Sequence, residues 1–107
     1  MNVLLDACAP RPLRQFLHGH SVRTAQEMGW AGLKNGDLLR EAESQFEVFI
    51  STDKNLKFQQ QVVGRKLAIL VLPVNDWPTI RSKGAEIAAK VATLKPGDFV
   101  ELDWSNP

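Results

Sequence analysis

The sequence predicts a single α/β domain, residues 1–107, built on a mostly parallel central sheet of about five strands. Short apolar, β-branched segments alternate with amphipathic helical segments along the whole chain, which is the pattern of βαβ units. Residues 67–72 are almost continuously apolar, as in strands that helices cover on both faces. The 107 residues, of which 44% are hydrophobic, suit one packed domain.

The predicted strands share a short length and an apolar or β-branched composition. They are Asn2–Leu5, Ser21–Thr24, 48–52, 67–72 and 99–102. Turn-forming residues separate them from the helices, for example the sequence His18-Gly19-His20 and the sequence Lys95-Pro96-Gly97-Asp98. Because helices intervene between the strands, the connections favour parallel pairing.

The predicted helices have apolar residues at helical spacing. Prolines at positions 10 and 12 start the first, whose buried stripe is Leu13, Phe16 and Leu17, and residues 25–28 form one turn. The second begins near Asn35 and buries Leu38, Leu39, Ala42 and Phe46. The last is capped by Asp76 and runs to Leu94 with Gly84 on its buried face. Residues 54–61 are polar and predict a short helix or a lid-like loop.

Composition narrows the function classes. The net charge is +1, from 13 Lys+Arg and 12 Asp+Glu, so any nucleic-acid contact is expected to be local. The single Cys8 excludes an internal disulfide framework and a cysteine-based zinc site, which favours the cytoplasm. The N-terminus has no basic leader, and the longest apolar run is about eight residues where a membrane span needs about twenty. We therefore expect no export and no membrane partner.

Two aspartates follow directly on predicted strands. Asp6 ends the first strand and Asp53 follows the third. Ligands of parallel sheets bind outside the carboxyl ends of the strands, so neighbouring strands would bring both carboxylates into one crevice. Two such oxygen ligands suit Mg²⁺ or Mn²⁺, which can activate water for phosphodiester hydrolysis. The structural alternative is that each aspartate makes an Asx turn or caps a helix.

Three segments carry a resemblance to a known family: Leu4-Leu5-Asp6 with Pro10, residues 32–39, and residues 50–56. They resemble the PIN-like family, over nearly the full length of the chain. The resemblance implies a three-layer α/β/α PIN-like fold and a metal-dependent endoribonuclease, typically the toxin of a bacterial toxin–antitoxin pair. It places Asp6 and Asp53 at the family's acidic metal positions. It also implies an RNA substrate, a small antitoxin protein as partner, and a homodimer as one assembly open to such domains.

The chain departs from the PIN pattern at three positions. Ala7 stands where many relatives carry glutamate, Asn35 where an aspartate opens the middle helix, and Asn55 where a second aspartate follows Asp53. Asp37 is a substitute metal ligand, or a first-turn acid if Asn35 is the N-cap. Amide oxygens also bind hard cations, so Asn35 and Asn55 stay in the catalytic set beside the three aspartates. The alternative function is a catalytically weakened module that binds RNA or a protein partner without cleavage.

Other residues allow weaker hypotheses. Cys8 is read as a small hydrophobe rather than a nucleophile. His18 and His20 are explained by a turn. The three tryptophans, at positions 30, 77 and 104, either stack on unpaired bases or anchor loops. Five basic residues cluster in sequence around the predicted site and either capture phosphate or are ordinary surface residues: Lys34, Lys54, Lys57, Arg65 and Lys66.

Overall fold

The central sheet has five strands, all parallel, in a computed structural model that describes residues 1–58 and 65–104. The strands are β1 (Asn2–Leu5), β2 (Ser21–Thr24), β3 (Val48–Ser51), β4 (Ala68–Val71) and β5 (Phe99–Glu101). They lie in the order β2-β1-β3-β4-β5, and every neighbouring pair is parallel. The predicted fold class is confirmed, and the five predicted strands are present with ends that differ by at most one residue.

Five helices connect the strands within the described residues. They are two 3₁₀ helices, Arg11–Phe16 and Lys54–Phe58, and three α-helices, α1 (Asn35–Glu43), α2 (Trp77–Ser82) and α3 (Gly84–Thr93). The polar segment that was predicted as a short helix or a lid therefore begins as a 3₁₀ helix, and its last residues, 59–61, lie outside the described residues. No described helix has the length and apolarity that a membrane span requires.

The last predicted helix is wrong in its continuity. Lys83 has non-helical dihedrals, φ −108° and ψ 11°, and its N–H donates to the carbonyls of Arg81 and Ile80. The helix therefore ends and restarts as α3, with Gly84 buried as predicted. A Cβ on Gly84 would lie 2.5 Å from ring atoms of Phe16, so only glycine allows this approach between α3 and the first 3₁₀ helix.

Two apolar clusters, one on each face of the sheet, make the fold three-layered. One unites residues of β1, β3 and β4 with the first 3₁₀ helix, α2 and α3; it includes Leu5, Ile50, Leu70, Leu13, Ile80 and Ile87. The other unites the opposite faces of the same strands with α1; it includes Leu4, Phe49, Ile69, Leu38, Leu39 and Ala42. Each central strand thus buries both of its faces, which explains the continuous apolar runs in the sequence.

The strand order creates a switch point between β1 and β3. From β1 the chain crosses to β2 on one side of the sheet, and it later returns to β3 on the other side. In doubly wound sheets the connections diverge at such a point and leave a crevice at the carboxyl ends of the two strands. Asp6 follows β1 and Asp53 lies two residues after β3, so both predicted acidic residues border this crevice.

Candidate metal centre at the switch point

Asp6 is held at the end of β1 by both its backbone and its carboxylate. Its N–H donates to the carbonyl of Ile50 at 2.9 Å, which extends the β1–β3 pairing by one residue. The Oδ1 atom accepts from the Ala7 N–H at 2.8 Å, and Oδ2 accepts from the Ser51 hydroxyl at 2.8 Å. The half-buried carboxylate is therefore fixed in orientation toward β3.

Ser51, the last residue of β3, links the two acidic loops. Its side chain is fully buried. The hydroxyl donates to Asp6 Oδ2 and accepts from the Asp53 N–H at 3.0 Å. One donor and one acceptor site of a single hydroxyl thus join the loop after β1 to the loop after β3. Sequence reasoning missed this residue, although a small polar side chain that ends an apolar strand two positions before an aspartate was a signal for it.

Asp53 forms the turn that the structural alternative expected. Its Oδ1 accepts from the backbone N–H of Asn55 at 2.9 Å, an Asx turn that opens the 3₁₀ helix Lys54–Phe58. The bond occupies one lone pair of one oxygen, and a carboxylate offers about four such sites. The turn and a role as ligand are therefore compatible. Asn55 is exposed at this turn.

Cys8 also lies at the centre. Its Sγ is 3.5 Å from Asp6 Oδ2 and 3.6 Å from the Ser51 hydroxyl. The side chain is exposed, so the expectation of a small buried hydrophobe is wrong. The chain turns just after β1, where the Ala9 N–H donates to the carbonyl of Asp6 at 2.9 Å, and this turn leaves Cys8 on the rim of the crevice.

Asp37 is not in contact with this pair. It lies in the first turn of α1, exposed, and its Oδ1 is 2.5 Å from the guanidinium of Arg40. The N-cap is Lys34, with extended dihedrals, and the helix begins at Asn35, so Asp37 lies in the first turn as the structural alternative expected, one residue later than if Asn35 were the cap. Within residues 1–58 and 65–104 no three or more His, Cys, Asp or Glu side chains form a group that could hold a metal ion. The described site thus joins Asp6 to the Asp53 loop and leaves Asp37 apart.

The five basic residues do not form one cluster. Arg65 and Lys66 precede the amino end of β4, so they lie at the opposite edge of the sheet from Asp6. The guanidinium of Arg65 is 2.8 Å from Glu43 Oε2, and the Lys66 N–H donates to Glu43 Oε1. These hydrogen bonds, first from the Lys66 backbone and then from Arg65, lower the pKa of Glu43. The predicted phosphate-binding role around the site is therefore wrong for Arg65 and Lys66.

The remaining basic residues have different positions. Lys54 is exposed next to Asp53, and the ammonium of Lys57 is 3.7 Å from a carboxylate oxygen of Glu101 at the carboxyl end of β5. Lys34 precedes α1, the helix that leads from the carboxyl end of β2 back to the amino end of β3. These three cations therefore lie at the carboxyl edge of the sheet.

A capping box closes the edge of the crevice beside β2. Thr24 and Glu27 bond reciprocally: each backbone N–H donates to the other's side chain, at 2.9 and 3.1 Å. The guanidinium of Arg14 is 2.7 Å from the same glutamate. The Thr24 N–H and then Arg14 lower the pKa of Glu27. The sequence Thr-x-x-Glu was a sufficient signal for this motif.

The donor chemistry at the switch point fits a hard divalent cation. Two aspartates of adjacent loops are tied to one buried hydroxyl, Asp6 through its carboxylate and Asp53 through its backbone N–H. Mg²⁺ is typically bound through one or two carboxylates, with waters and substrate phosphates in the other positions. Asp6 and Asp53 meet that requirement without a third protein carboxylate.

Comparison of the chain with protein-family models, with curated proteins and with solved structures gives no match. The arguments for function therefore rest on the residues of this chain.

Proposed function

We propose that the protein is a metal-dependent endoribonuclease of PIN-like type that hydrolyses phosphodiester bonds at the β1–β3 switch point. The observation that carries the proposal is the shared Ser51 hydroxyl, which brings the Asp6 carboxylate and the Asp53 backbone to one point. The two residues are distant in the chain and meet because β1 and β3 are neighbours in the sheet. Ligands of parallel sheets bind at the carboxyl ends of the strands, where both residues lie. The resemblance to PIN-like nucleases identifies the same two aspartates.

Each residue has a distinct part in the proposed site. Asp6 and Asp53 hold the cation; when bound, Mg²⁺ or Mn²⁺ neutralises charge on the phosphodiester and activates water. Ser51 orients Asp6 by donating to Oδ2, the Ala7 N–H donates to Oδ1, and each oxygen has a further lone pair that can bind a cation. Asn55 lies on the Asp53 turn, where its amide can donate to a phosphate oxygen. Asp37, which is exposed and paired with Arg40, enters the reaction only if α1 moves toward the crevice with substrate present.

Cleavage of single-stranded RNA by the purified protein tests the proposal. We expect cleavage with Mg²⁺ or Mn²⁺, none with EDTA, and a loss of at least about a hundredfold in Asp6→Asn and in Asp53→Asn, the range typical for removal of a group that stabilises charge in the transition state. Asp98→Asn is the matched control, because Asp98 lies before β5 at the other edge and caps a turn through Lys95. Cleavage that survives both site substitutions contradicts the proposal.

A second candidate function is RNA or protein binding without cleavage. Two neutral residues of the acidic loops favour it: Ala7 and Asn55 are exposed beside the carboxylates, where the PIN pattern has acids. Fewer carboxylates mean a weaker hold on the cation. RNA binding that persists in EDTA and in both aspartate variants, with no cleavage under any metal, supports this candidate over the first.

The toxin role extends the proposal to the cell. An RNA-cleaving toxin requires a small antitoxin partner, which the resemblance alone suggests. Expression of the chain is then expected to arrest growth, and Asp6→Asn is expected to remove the arrest. A short reading frame beside the gene whose product relieves the arrest would identify the partner.

A further inference from the structure

A continuous cleft leads away from the proposed metal centre along the carboxyl ends of β4 and β5. It consists of two cavities of about 370 and 420 Å³ that share Lys54, Pro73 and Asp103 as lining residues. The larger cavity ends at Trp104. Lys54, which directly follows Asp53 in the chain, lines both cavities. The volume of the cleft is that of a small-ligand site rather than of a surface dimple.

We propose that this cleft binds one unpaired nucleotide of an RNA strand, with a phosphate at Lys54 and the base against Trp104. The inference rests on the proposed nuclease function, for which it names the part of the substrate beside the scissile bond. A nucleotide matches the cleft because it combines a phosphate anion with a flat base of largely apolar faces. Lys54 and Trp104 line the same cavity of about 420 Å³, so a single nucleotide can contact the cation with its phosphate and the indole with its base.

The charges of the cleft set where the phosphate lies. Lys54 is exposed and directly follows Asp53 in the chain, so the phosphate is expected at this cation. Beside Asp103, which lines both cavities, and Glu101, which lines the smaller one, carboxylates repel phosphate but accept hydrogen bonds from ribose hydroxyls and from base amino groups. The ribose and the base edge are therefore expected to lie there.

Trp104 is fixed before any ligand arrives. Its indole N–H donates to Glu86 Oε2 at 2.5 Å, and the ammonium of Lys83 lies 5.9 Å from the ring centroid. Pro73 and Val74 line the same cavity and supply apolar surface next to the indole. A base that packs here loses little freedom to protein rearrangement, which favours binding. Contacts to a base face tolerate any sequence, as a general ribonuclease requires.

The test uses the indole N–H signals of the three tryptophans in a ¹H–¹⁵N spectrum of the full chain, in EDTA so that no cleavage occurs. Titration with the trinucleotide AAA is expected to shift the Trp104 signal, which is assigned with Trp104→Phe. Trp30 and Trp77 serve as internal controls, because each is partly buried and packs on another aromatic ring, Trp30 on Phe46 and Trp77 on Phe16. Shifts confined to Trp30 or Trp77, or no shift at all, overturn the inference.

A charge-reversal pair keeps the test independent of Trp104. Lys54→Glu is expected to weaken AAA binding at least about tenfold, since a phosphate contact becomes a repulsion. Lys95→Glu makes the same change on an exposed residue at the amino edge of the sheet and is expected to change binding less than about twofold. Equal effects of the two variants contradict the proposed cleft.

The outcome separates this inference from the function on which it rests. Trp104 shifts that depend on Lys54, in a protein that never cleaves RNA, leave the cleft established and overturn the nuclease proposal. Metal-dependent cleavage that is unaffected by Lys54→Glu, with no shift of Trp104, leaves the nuclease and overturns the cleft.

Discussion

At the scale of single residues, one buried hydroxyl organises the acidic crevice. Ser51 donates to Asp6 and accepts from the Asp53 backbone, so it determines how the two loops meet. A buried donor or acceptor needs a hydrogen-bond partner, because an unpaired one lowers the free energy of unfolding by about 1–3 kcal/mol. The residue therefore matters for stability as well as for the geometry of the carboxylates.

Ser51→Ala tests this role. We expect a loss of about 1–3 kcal/mol in the free energy of unfolding, because the substitution removes the hydroxyl that bonds both Asp6 Oδ2 and the Asp53 N–H. Urea unfolding measures the loss. Ser82→Ala is the control, since its exposed hydroxyl donates only to the Thr79 carbonyl within its own turn. Equal, small effects of both substitutions would show that the Ser51 bonds contribute little.

The acid dependence of stability is expected to follow two glutamates. The pKa values of Glu27 and Glu43 are lowered, mainly by backbone N–H groups of Thr24 and Lys66. A lowered folded-state pKa adds stability above the unfolded value of about 4.5, and that stability is lost as the pH falls through the folded values.

Urea unfolding between pH 7 and pH 3 measures this dependence. The double variant Glu27→Gln with Glu43→Gln is expected to be less stable at pH 7 and to lose less stability between about pH 5 and pH 3 than the unsubstituted protein. An unchanged slope in that interval would assign the acid loss to other carboxylates.

Some of the site residues could be predicted from the sequence, and others could not because their roles depend on the strand order. Asp6 and Asp53 were identified because each follows an apolar strand, and strand ends meet at one edge of a parallel sheet. Ser51 and Cys8 were missed because their parts depend on the adjacency of β1 and β3, which the sequence does not contain. The separation of Asp37 from the pair depends on how α1 packs. The sequence of the first turn is the same whether its acid is a metal ligand or only a helix-stabilising residue.

At the scale of elements, apolar patterning predicted the strands well and helix continuity poorly. Every residue of β3 and of β4 is buried, and short, continuously apolar segments of this kind predict strands that are covered on both faces. The break between α2 and α3 was not predictable, because residues 76–94 keep a helical apolar spacing through it. Its cause is tertiary: the approach of Gly84 to Phe16 fixes the start of α3.

Gly84→Ala tests this contact. An alanine in a helix usually stabilises relative to glycine, but here the new Cβ meets the Phe16 ring at 2.5 Å, including its first ring carbon. Rotation of the ring cannot relieve a clash at that atom. We therefore expect a loss of about 1–3 kcal/mol in the free energy of unfolding.

The control is Gly32→Ala, where nothing lies within 4 Å of the added atom. Its effect is expected to stay within about 0.5 kcal/mol. In a double-mutant cycle with Phe16→Ala, the cost of Gly84→Ala should fall markedly. A stabilising Gly84→Ala would mean that α3 and the 3₁₀ helix pack more loosely than described.

At the scale of the whole molecule, the two edges of the sheet have different chemistry. The carboxyl edge presents Asp6, Asp53 and Lys54 together with the cleft to Trp104. At the amino edge, Arg65 and Glu43 form an ion pair. The net charge of +1 does not show this arrangement, in which Asp6 and Asp53 suit a cation and Lys54 suits an anion at the same edge. Sequence proximity placed Arg65 and Lys66 near the site, and only the topology separates them from it.

The central claim is that Asp6 and Asp53 together hold one divalent cation, and Mn²⁺ binding measured by electron paramagnetic resonance tests it most directly. We predict one Mn²⁺ bound per chain, binding weakened at least about tenfold by Asp6→Asn and by Asp53→Asn because each removes a charged oxygen ligand, and little change in Asp98→Asn. Mn²⁺ binding that is absent in the unsubstituted protein, or that is equally tight in all three variants, contradicts the claim.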